Sequence, residues 1–237
     1  MLHRALWTLA LCSLFAGCSW LAWCALSVID FGYPLWHSWL DITSFIQTYG
    51  PKNLYKQGFE LTTAEEHYRL FSAINTAIHQ SGAGLESLTY HYTQNGQVFH
   101  DTLLRPPEIV HLKDVANLVT VFQWAGMLLG AFSLLLIGGL KYQQSLFPKP
   151  LQILLGFVGL LVIVGLILAI FGPTHVFYQL HIWLFPPNHP WFFYYEESLM
   201  TTLMLAPTLF GYIASALIIL TSVLWLLGLY GLNRWFK

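Results

Sequence analysis

Four long apolar stretches constrain this chain more than any other feature of the sequence. They cover residues 5–31, 115–140, 151–172 and 199–230, and each has the roughly twenty residues that an α-helix needs to cross a hydrocarbon core of about 30 Å. The sequence therefore predicts a mostly α membrane protein built on a four-transmembrane-helix bundle. Small residues are expected where such helices approach closely, and the candidates are the glycine pairs Gly138/Gly139, Gly156/Gly159 and Gly228/Gly231.

The composition supports this fold class and excludes others. Apolar residues make up 56% of the 237 residues and charged residues 9%, against about 25% charged in soluble proteins. The net charge is −1, and the sequence lacks the basic patches with interleaved aromatic residues that bind nucleic acid. We therefore expect membrane lipids, and no nucleic acid, among the partners.

Charged residues are distributed unequally between the two sides of the predicted bundle. One side carries basic residues without acids: Arg4, Lys141, Lys149, Arg234 and Lys237. The other side, residues 30–114 and 173–198, carries all eleven acidic residues. Loops rich in Lys and Arg stay in the cytoplasm, so both termini are expected to be cytoplasmic and both large loops to face outward.

The first outer loop is long enough to fold as a small domain. After the first transmembrane helix (residues 1–31), residues 32–113 are predicted to form an α+β extracytoplasmic cap. A doubled capping box at Thr62 and Thr63 predicts a helix over about 63–80. Alternating residues around Asn95-Gly96 predict a hairpin over about 87–104. The remaining domain, residues 114–237, contains transmembrane helices 2–4 with a short interfacial segment at 173–198.

Histidines are concentrated on the outer side, which holds nine of the ten. Five lie in the predicted cap and are interpreted as ordinary polar residues: His37, His67, His79, His91 and His100. The other four each stand just outside a spanning helix, at similar depth: His111, His175, His181 and His189.

The start of the second spanning helix has a histidine between two acidic residues. Glu108, His111 and Asp114 recur every three residues and so share one side of its opening turns. A carboxylate one turn from an imidazole can fix its tautomer and raise its basicity. A capped helix with charges near its N-terminal dipole explains the same pattern equally well.

The second outer loop combines histidines, prolines, aromatic residues and two acids. Its core is "HIWLFPPNHPWFFYYEE", residues 181–197, and its aromatic residues are typical of a belt at the headgroup level. His175 and His181 would point about 120° apart on a helix, which makes them poor co-ligands, and no cofactor or nucleophile motif is present. We expect no metal and no cofactor, and any catalysis would be general acid–base work by histidine.

Two segments resemble the bacterial lipoprotein intramolecular transacylase (Lit) family of four-helix membrane proteins. "EIVHLKDVANLV" (108–119) is similar to the family's His-x-x-Asp-Val motif, here His111, Asp114 and Val115. Residues 180–200 are similar to its second motif, a histidine followed by an apolar pair and, ten residues on, by a tryptophan. Those positions are His181, Leu184, Phe185 and Trp191. After Trp191 the chain departs from the family pattern, reading Phe-Phe-Tyr-Tyr before Glu196 and Glu197.

The resemblance implies an enzyme of the bacterial cytoplasmic (inner) membrane with its active site at the outer face. The implied reaction moves the sn-2 acyl chain of a diacylglyceryl-cysteine lipoprotein to the cysteine's own α-amine, giving a lyso-form lipoprotein. His111 and His181 are implied as the catalytic residues, without an acyl-enzyme. Glu108, Asp114, Phe185, Trp191, Glu196 and Glu197 are expected to support them or to bind substrate.

A non-catalytic protein of the outer face is the alternative. In that hypothesis the four histidines near the spanning helices bind a metal or lipid, or titrate at the interface. Metal analysis of the purified protein distinguishes the metal-binding form, because only that form would contain stoichiometric zinc, copper or haem.

Overall fold

The computed structural model describes residues 2–237, which are mostly helical with one two-stranded sheet. The helices are α1 Leu2–Val28, α2 Tyr33–Trp39, α3 Ile42–Tyr49, α4 Ala64–His79, α5 Pro106–Tyr142, α6 Pro150–Phe171, α7 Pro173–Leu184, α8 Leu199–Leu203 and α9 Thr208–Trp235. The strands are β1 Thr89–Gln94 and β2 Gln97–Thr102.

Four of these helices are long and apolar enough to cross a membrane: His3–Val28, Pro106–Tyr142, Pro150–Phe171 and Thr208–Trp235. The predicted fold class is confirmed, because a mostly helical chain contains these four helices and one small sheet. The single helix predicted over 199–230 is divided in the structure, where a turn at Met204–Pro207 separates α8 from α9. Pro207 has no amide hydrogen to donate to the helix hydrogen bonds. The prediction missed this break because the apolar stretch is continuous in the sequence.

The chain divides into two compact units. The first contains the described residues through Ala25, with Val121–Val176 and Ala214–Lys237. One close helix contact joins Gly17 and Gly130, since a Cβ on Gly17 would lie 2.8 Å from the Cα of Gly130. A Cβ at most of the glycines expected at such contacts would meet no described atom within 4 Å: Gly138, Gly139, Gly156, Gly159 and Gly231. That expectation is corrected, because the facing helix, which the sequence does not specify, decides where backbones approach.

The second unit contains Leu26–Thr120 and Phe177–Ile213. Thr63 caps α4 by accepting a hydrogen bond from the amide of Glu66 (3.3 Å). The β1–β2 hairpin pairs Gln94 with Gln97 across Asn95-Gly96, whose φ angles of 52° and 79° suit a tight two-residue turn. Both elements arise from local sequence signals.

Two short helices of this unit, α2 and α3, were not predicted from the sequence. They bury Tyr33, His37, Ile42 and Ile46. The Tyr33 ring stacks on Phe71 of α4 with centroids 4.0 Å apart, and its hydroxyl donates to the carbonyl of Leu203 in α8 (2.7 Å). Helices of seven and eight residues give a weak periodic signal, and tertiary contacts such as these stabilise them.

Candidate active site

The first turn of α5 is held by a buried carboxylate. Glu108 is fully buried, and its Oε2 accepts a hydrogen bond from the amide of Arg105 (2.7 Å), as in a capping box. Its Oε1 accepts from the hydroxyl of Ser198 (2.5 Å), and that hydroxyl oxygen accepts from the amide of Thr201 (2.9 Å) at the start of α8. Glu108 and Ser198 therefore tie the N-termini of α5 and α8 together.

His111 lies one turn after Glu108 and is only 8% exposed. Its Nδ1 is buried without a hydrogen-bond partner in the part of the chain that the structure describes. Its neighbours are rings: the centroid of Phe185 lies 4.9 Å away, that of His181 6.1 Å and that of Phe193 6.3 Å. A buried nitrogen lacking a partner is uncommon, so this atom is a candidate to bind a ligand.

His181 is held in one tautomer by its own helix. Its Nδ1 lies 2.8 Å from the carbonyl oxygen of Phe177, one turn earlier in α7. A carbonyl only accepts, so Nδ1 carries the hydrogen and the Nε2 of the neutral ring keeps a lone pair. Burial lowers the pKa of His181, although the bond to Phe177 opposes this shift. The ring is thus favoured as a neutral base.

Aromatic rings surround the two imidazoles. Phe185 contacts both, with centroids 5.1 Å from His181 and 4.9 Å from His111. The rings of Trp191 and Phe177 also pack on His181, with centroids 5.1 Å and 4.1 Å from its own. Such apolar surroundings reduce the competition of water for the hydrogen bonds of the imidazoles, and they strengthen polar interactions inside the site.

Asp114 does not orient His111, contrary to the expectation from its spacing. Its Oδ2 accepts a hydrogen bond from Nδ1 of His189 at 2.7 Å. Sequence spacing placed Asp114 and His111 on one side of a helix, but the loop that packs against that side supplied a different partner.

The other predicted residues make no described hydrogen bond, ion pair or ring contact with the imidazole pair. The side chains of Glu196 and Glu197 make no hydrogen bond or ion pair with residues that the structure describes, although the carbonyl of Glu196 accepts from the amide of Leu54 (2.8 Å). His175 stacks on Phe171 in the first unit, with centroids 6.5 Å apart.

Three residues of the site were not predicted: Ser198, Phe177 and Phe193. Ser198 could have been found from its position directly before an apolar stretch, where an N-cap is expected, whereas Phe193 resembles any other belt aromatic in the sequence. Within residues 2–237, no group of three or more His, Cys, Asp or Glu side chains is arranged to hold a metal ion. The arrangement offers one imidazole whose Nε2 keeps a lone pair and one buried imidazole nitrogen without a described partner, in a largely apolar site.

Comparison with known proteins identifies the family. The family model described as lipoprotein intramolecular transacylase Lit matches residues 86–210, slightly more than half of the chain and including both histidine segments. No curated protein matches the chain.

Two solved structures share the fold. Both are in meso structures of the membrane integral lipoprotein intramolecular transacylase Lit from Bacillus cereus, each with one histidine replaced. The form with arginine has a TM-score of 0.66 at 18% identity, covering 99% of this chain and 92% of that one. The form with alanine has a TM-score of 0.62 at 19% identity, covering 99% and 93%. With a family match over more than half of its length, this protein belongs to the lipoprotein intramolecular transacylase (Lit) family.

Proposed function

We propose that this membrane acyltransferase moves the sn-2 acyl chain of a diacylglyceryl-cysteine lipoprotein to that cysteine's α-amine, with His111 and His181 as its catalytic residues. Family membership provides the reaction class. The observation that carries the assignment of residues is the geometry of the pair: the ring centroids lie 6.1 Å apart, and the Nδ1 of His181 is occupied by the carbonyl of Phe177.

The reaction forms an amide from an ester and needs one proton to move. The amine nitrogen attacks the ester carbonyl, a tetrahedral oxyanion forms, and the bond to the glycerol oxygen then breaks. The amine loses a proton and the departing glycerol oxygen gains one, so the atoms balance without a co-reactant. The site must supply a base for the amine, a donor for the oxyanion and a proton for the leaving oxygen.

His181 is assigned as the base. Its Nε2 holds the free lone pair, while the bond from Nδ1–H to Phe177 is kept in both the neutral and the protonated ring. Nε2 therefore takes the amine proton during attack and gives it to the glycerol oxygen when the intermediate collapses.

His111 is assigned as the oxyanion donor. Its buried Nδ1 has no protein partner among the described residues, and with its proton on Nδ1 it offers a hydrogen bond to the developing oxyanion. A neutral His111 that gave up this proton would become an imidazolate anion, which is why the proton for the leaving oxygen comes from His181.

The reaction needs no acyl-enzyme because nucleophile and ester belong to one substrate molecule. Effective molarities of well-oriented intramolecular reactions reach about 10⁵ to 10⁸ M. The enzyme's contribution is to orient the two groups and to move the proton.

We place the enzyme in the bacterial cytoplasmic membrane with both termini in the cytoplasm and the histidines at the outer face. The separation of charge along the chain supports this orientation, because Arg4, Lys141, Lys149, Arg234 and Lys237 lie in segments without acidic residues.

The test expresses the gene in a bacterium that lacks N-acylation and examines the N-terminal peptide of a lipoprotein. Transfer within one molecule leaves its mass unchanged, so tandem mass spectrometry must locate the acyl chain on the amine. We expect an N-acylated lyso-form with the wild type and at least a roughly 100-fold loss with His111→Ala or His181→Ala, the lower range for general acid–base catalysis. His175→Ala, outside the pair, is the matched control.

His181→Asn refines the assignment of the base. Asparagine can place an amide N–H near the position of Nδ1 but has no atom at Nε2, so it should fold and remain inactive. An unchanged diacyl N-terminus with an inserted wild-type protein would refute the enzyme function. Retained turnover in His181→Asn would refute the role of Nε2.

A further inference from the structure

The loop between α7 and α8 carries much of the aromatic surrounding of the site but has no helix or strand of its own. Residues 185–198 include Phe185, Trp191 and Phe193. Inside the loop, the amide of His189 donates to the carbonyl of Pro186 (3.0 Å), and the amide of Glu197 to that of Tyr194 (3.0 Å). These bonds shape the loop without attaching it to the rest of the unit.

One side-chain contact attaches the middle of this loop to the helix of His111. Nδ1 of His189 lies 2.7 Å from Oδ2 of Asp114, the one polar contact that the described residues provide between stretch 186–194 and another element. Asp114 stands three residues after His111 and Trp191 two residues after His189. The contact therefore links the helix of His111 to the stretch that carries Trp191, whose ring packs on His181.

The prolines of the loop make a single attachment effective. Pro186, Pro187 and Pro190 have restricted φ angles, so the stretch around His189 has few conformations to lose. Trp191, at the end of that stretch, packs on His181 (5.1 Å) and on Tyr178 of α7 (5.8 Å).

We propose that the Asp114–His189 pair is a positioning strap that holds Trp191 against His181 and thereby aims the Nε2 of His181 at the space it shares with His111. This role rests on the proposed function, because it concerns the orientation of the proposed base. His189 acts through Trp191 and is a positioning residue. A displacement of about 1 Å at a reacting group can cost on the order of 100-fold in rate, so a partly exposed hydrogen bond can matter more for activity than for folding.

The same contact has a second interpretation, which the experiment must separate from the strap. A carboxylate on Nδ1 leaves Nε2 of His189 free, as in the dyads in which an aspartate orients a catalytic histidine. A second base would need an ionisable ring at position 189, whereas a strap needs only a donor at the position of Nδ1.

Three substitutions at position 189 distinguish these roles. His189→Asn keeps an N–H near Nδ1, His189→Gln moves it toward the Nε2 position, and His189→Ala removes it. For a strap we expect kcat to fall 10- to 100-fold in the Ala and Gln variants and to recover to within about five-fold of wild type in the Asn variant. Asp114→Ala should match His189→Ala, and the double variant should be no worse than either.

Hydrogen exchange of the purified protein in detergent provides a readout that does not depend on turnover. Peptides covering 186–194 should exchange faster in His189→Ala than in the wild type and in His189→Asn, while peptides of α4 should not change. If His189→Asn loses activity while its 186–194 peptides exchange as in the wild type, the strap would be overturned in favour of a second base, because the loop would be held without the ionisable ring. Unchanged exchange in His189→Ala would overturn it outright. If the wild type itself shows no acyl transfer, the exchange result still decides whether the strap exists, so the two failures are distinguishable.

Discussion

Lowering the pH from 7 to 5 is expected to destabilise the second unit through His67. This side chain is fully buried and not used in the proposed reaction. The hydroxyl of Thr62 donates to the carbonyl of Phe59 (2.5 Å), so its oxygen accepts from Nε2–H of His67 (2.7 Å). Nδ1 of a neutral His67 then accepts from Nε2–H of His37 (2.9 Å). The chain of bonds is complete when both rings are neutral.

The magnitude follows from the pKa of His67. Burial, with a further contribution from His37, lowers this pKa from 6.5 to about 4, and Glu66 and Glu65 oppose the shift. A depressed histidine pKa means that the unfolded chain binds a proton before the folded one does, so stability is full above pH 6.5 and falls as the pH drops toward 4. At 1.36 kcal/mol per pKa unit, the loss reaches about 2 kcal/mol at pH 5 and about 3 kcal/mol at pH 4.

Thermal unfolding in detergent at pH 7, 6 and 5 measures this loss. For a chain of this length, about 2 kcal/mol corresponds to a decrease in Tm of roughly 4 to 8 °C. His67→Gln cannot titrate in this range, so its Tm should fall less than that of the wild type. A Tm difference between the two proteins that stays constant from pH 7 to pH 5 would refute the reasoning, because other titrating groups contribute equally to both.

Two further predictions concern packing and a buried hydrogen bond. Gly126→Ala should lower the Tm, since its Cβ would lie 2.3 Å from the Cβ of Trp20 and overpacking costs about 1 to 3 kcal/mol of stability. Gly138→Ala is the control, because no described atom lies within 4 Å of its Cβ. Equal decreases in Tm for the two variants would contradict the contact between Gly126 and Trp20. Ser198→Ala should lower the free energy of unfolding by about 1 to 3 kcal/mol, because Oε1 of the buried Glu108 loses the hydrogen bond from Ser198. A decrease in Tm measures this loss, and an unchanged Tm would show that the bond does not stabilise the fold.

Local signals in the sequence were sufficient for several elements. Apolar length predicted the four spanning helices, because a helix that crosses lipid satisfies its own backbone and needs no information from distant residues. Thr63 and the turn at Asn95-Gly96 likewise fixed the start of α4 and the centre of the hairpin, since capping and tight turns depend on a few adjacent residues.

The sequence also supplied the two histidines, but not their arrangement. Motif resemblance singled out His111 and His181, which are separated by 70 positions in the chain. The sequence does not indicate which of the two acts as the base, because that depends on the hydrogen bonds of each ring. Only the structure shows that Nδ1 of His181 is bonded to Phe177 while Nδ1 of His111 has no partner among the described residues.

Tertiary structure alone decided which polar groups are partners. From spacing, Asp114 was expected beside His111, yet its carboxylate binds His189, and Glu108 binds Ser198, 90 positions away. A helix fixes which side chains share a face, but the packing of other segments against that face decides which groups each side chain meets. The sequence therefore determined the spanning helices and the candidate histidines, and the packed fold determined the partners that orient them.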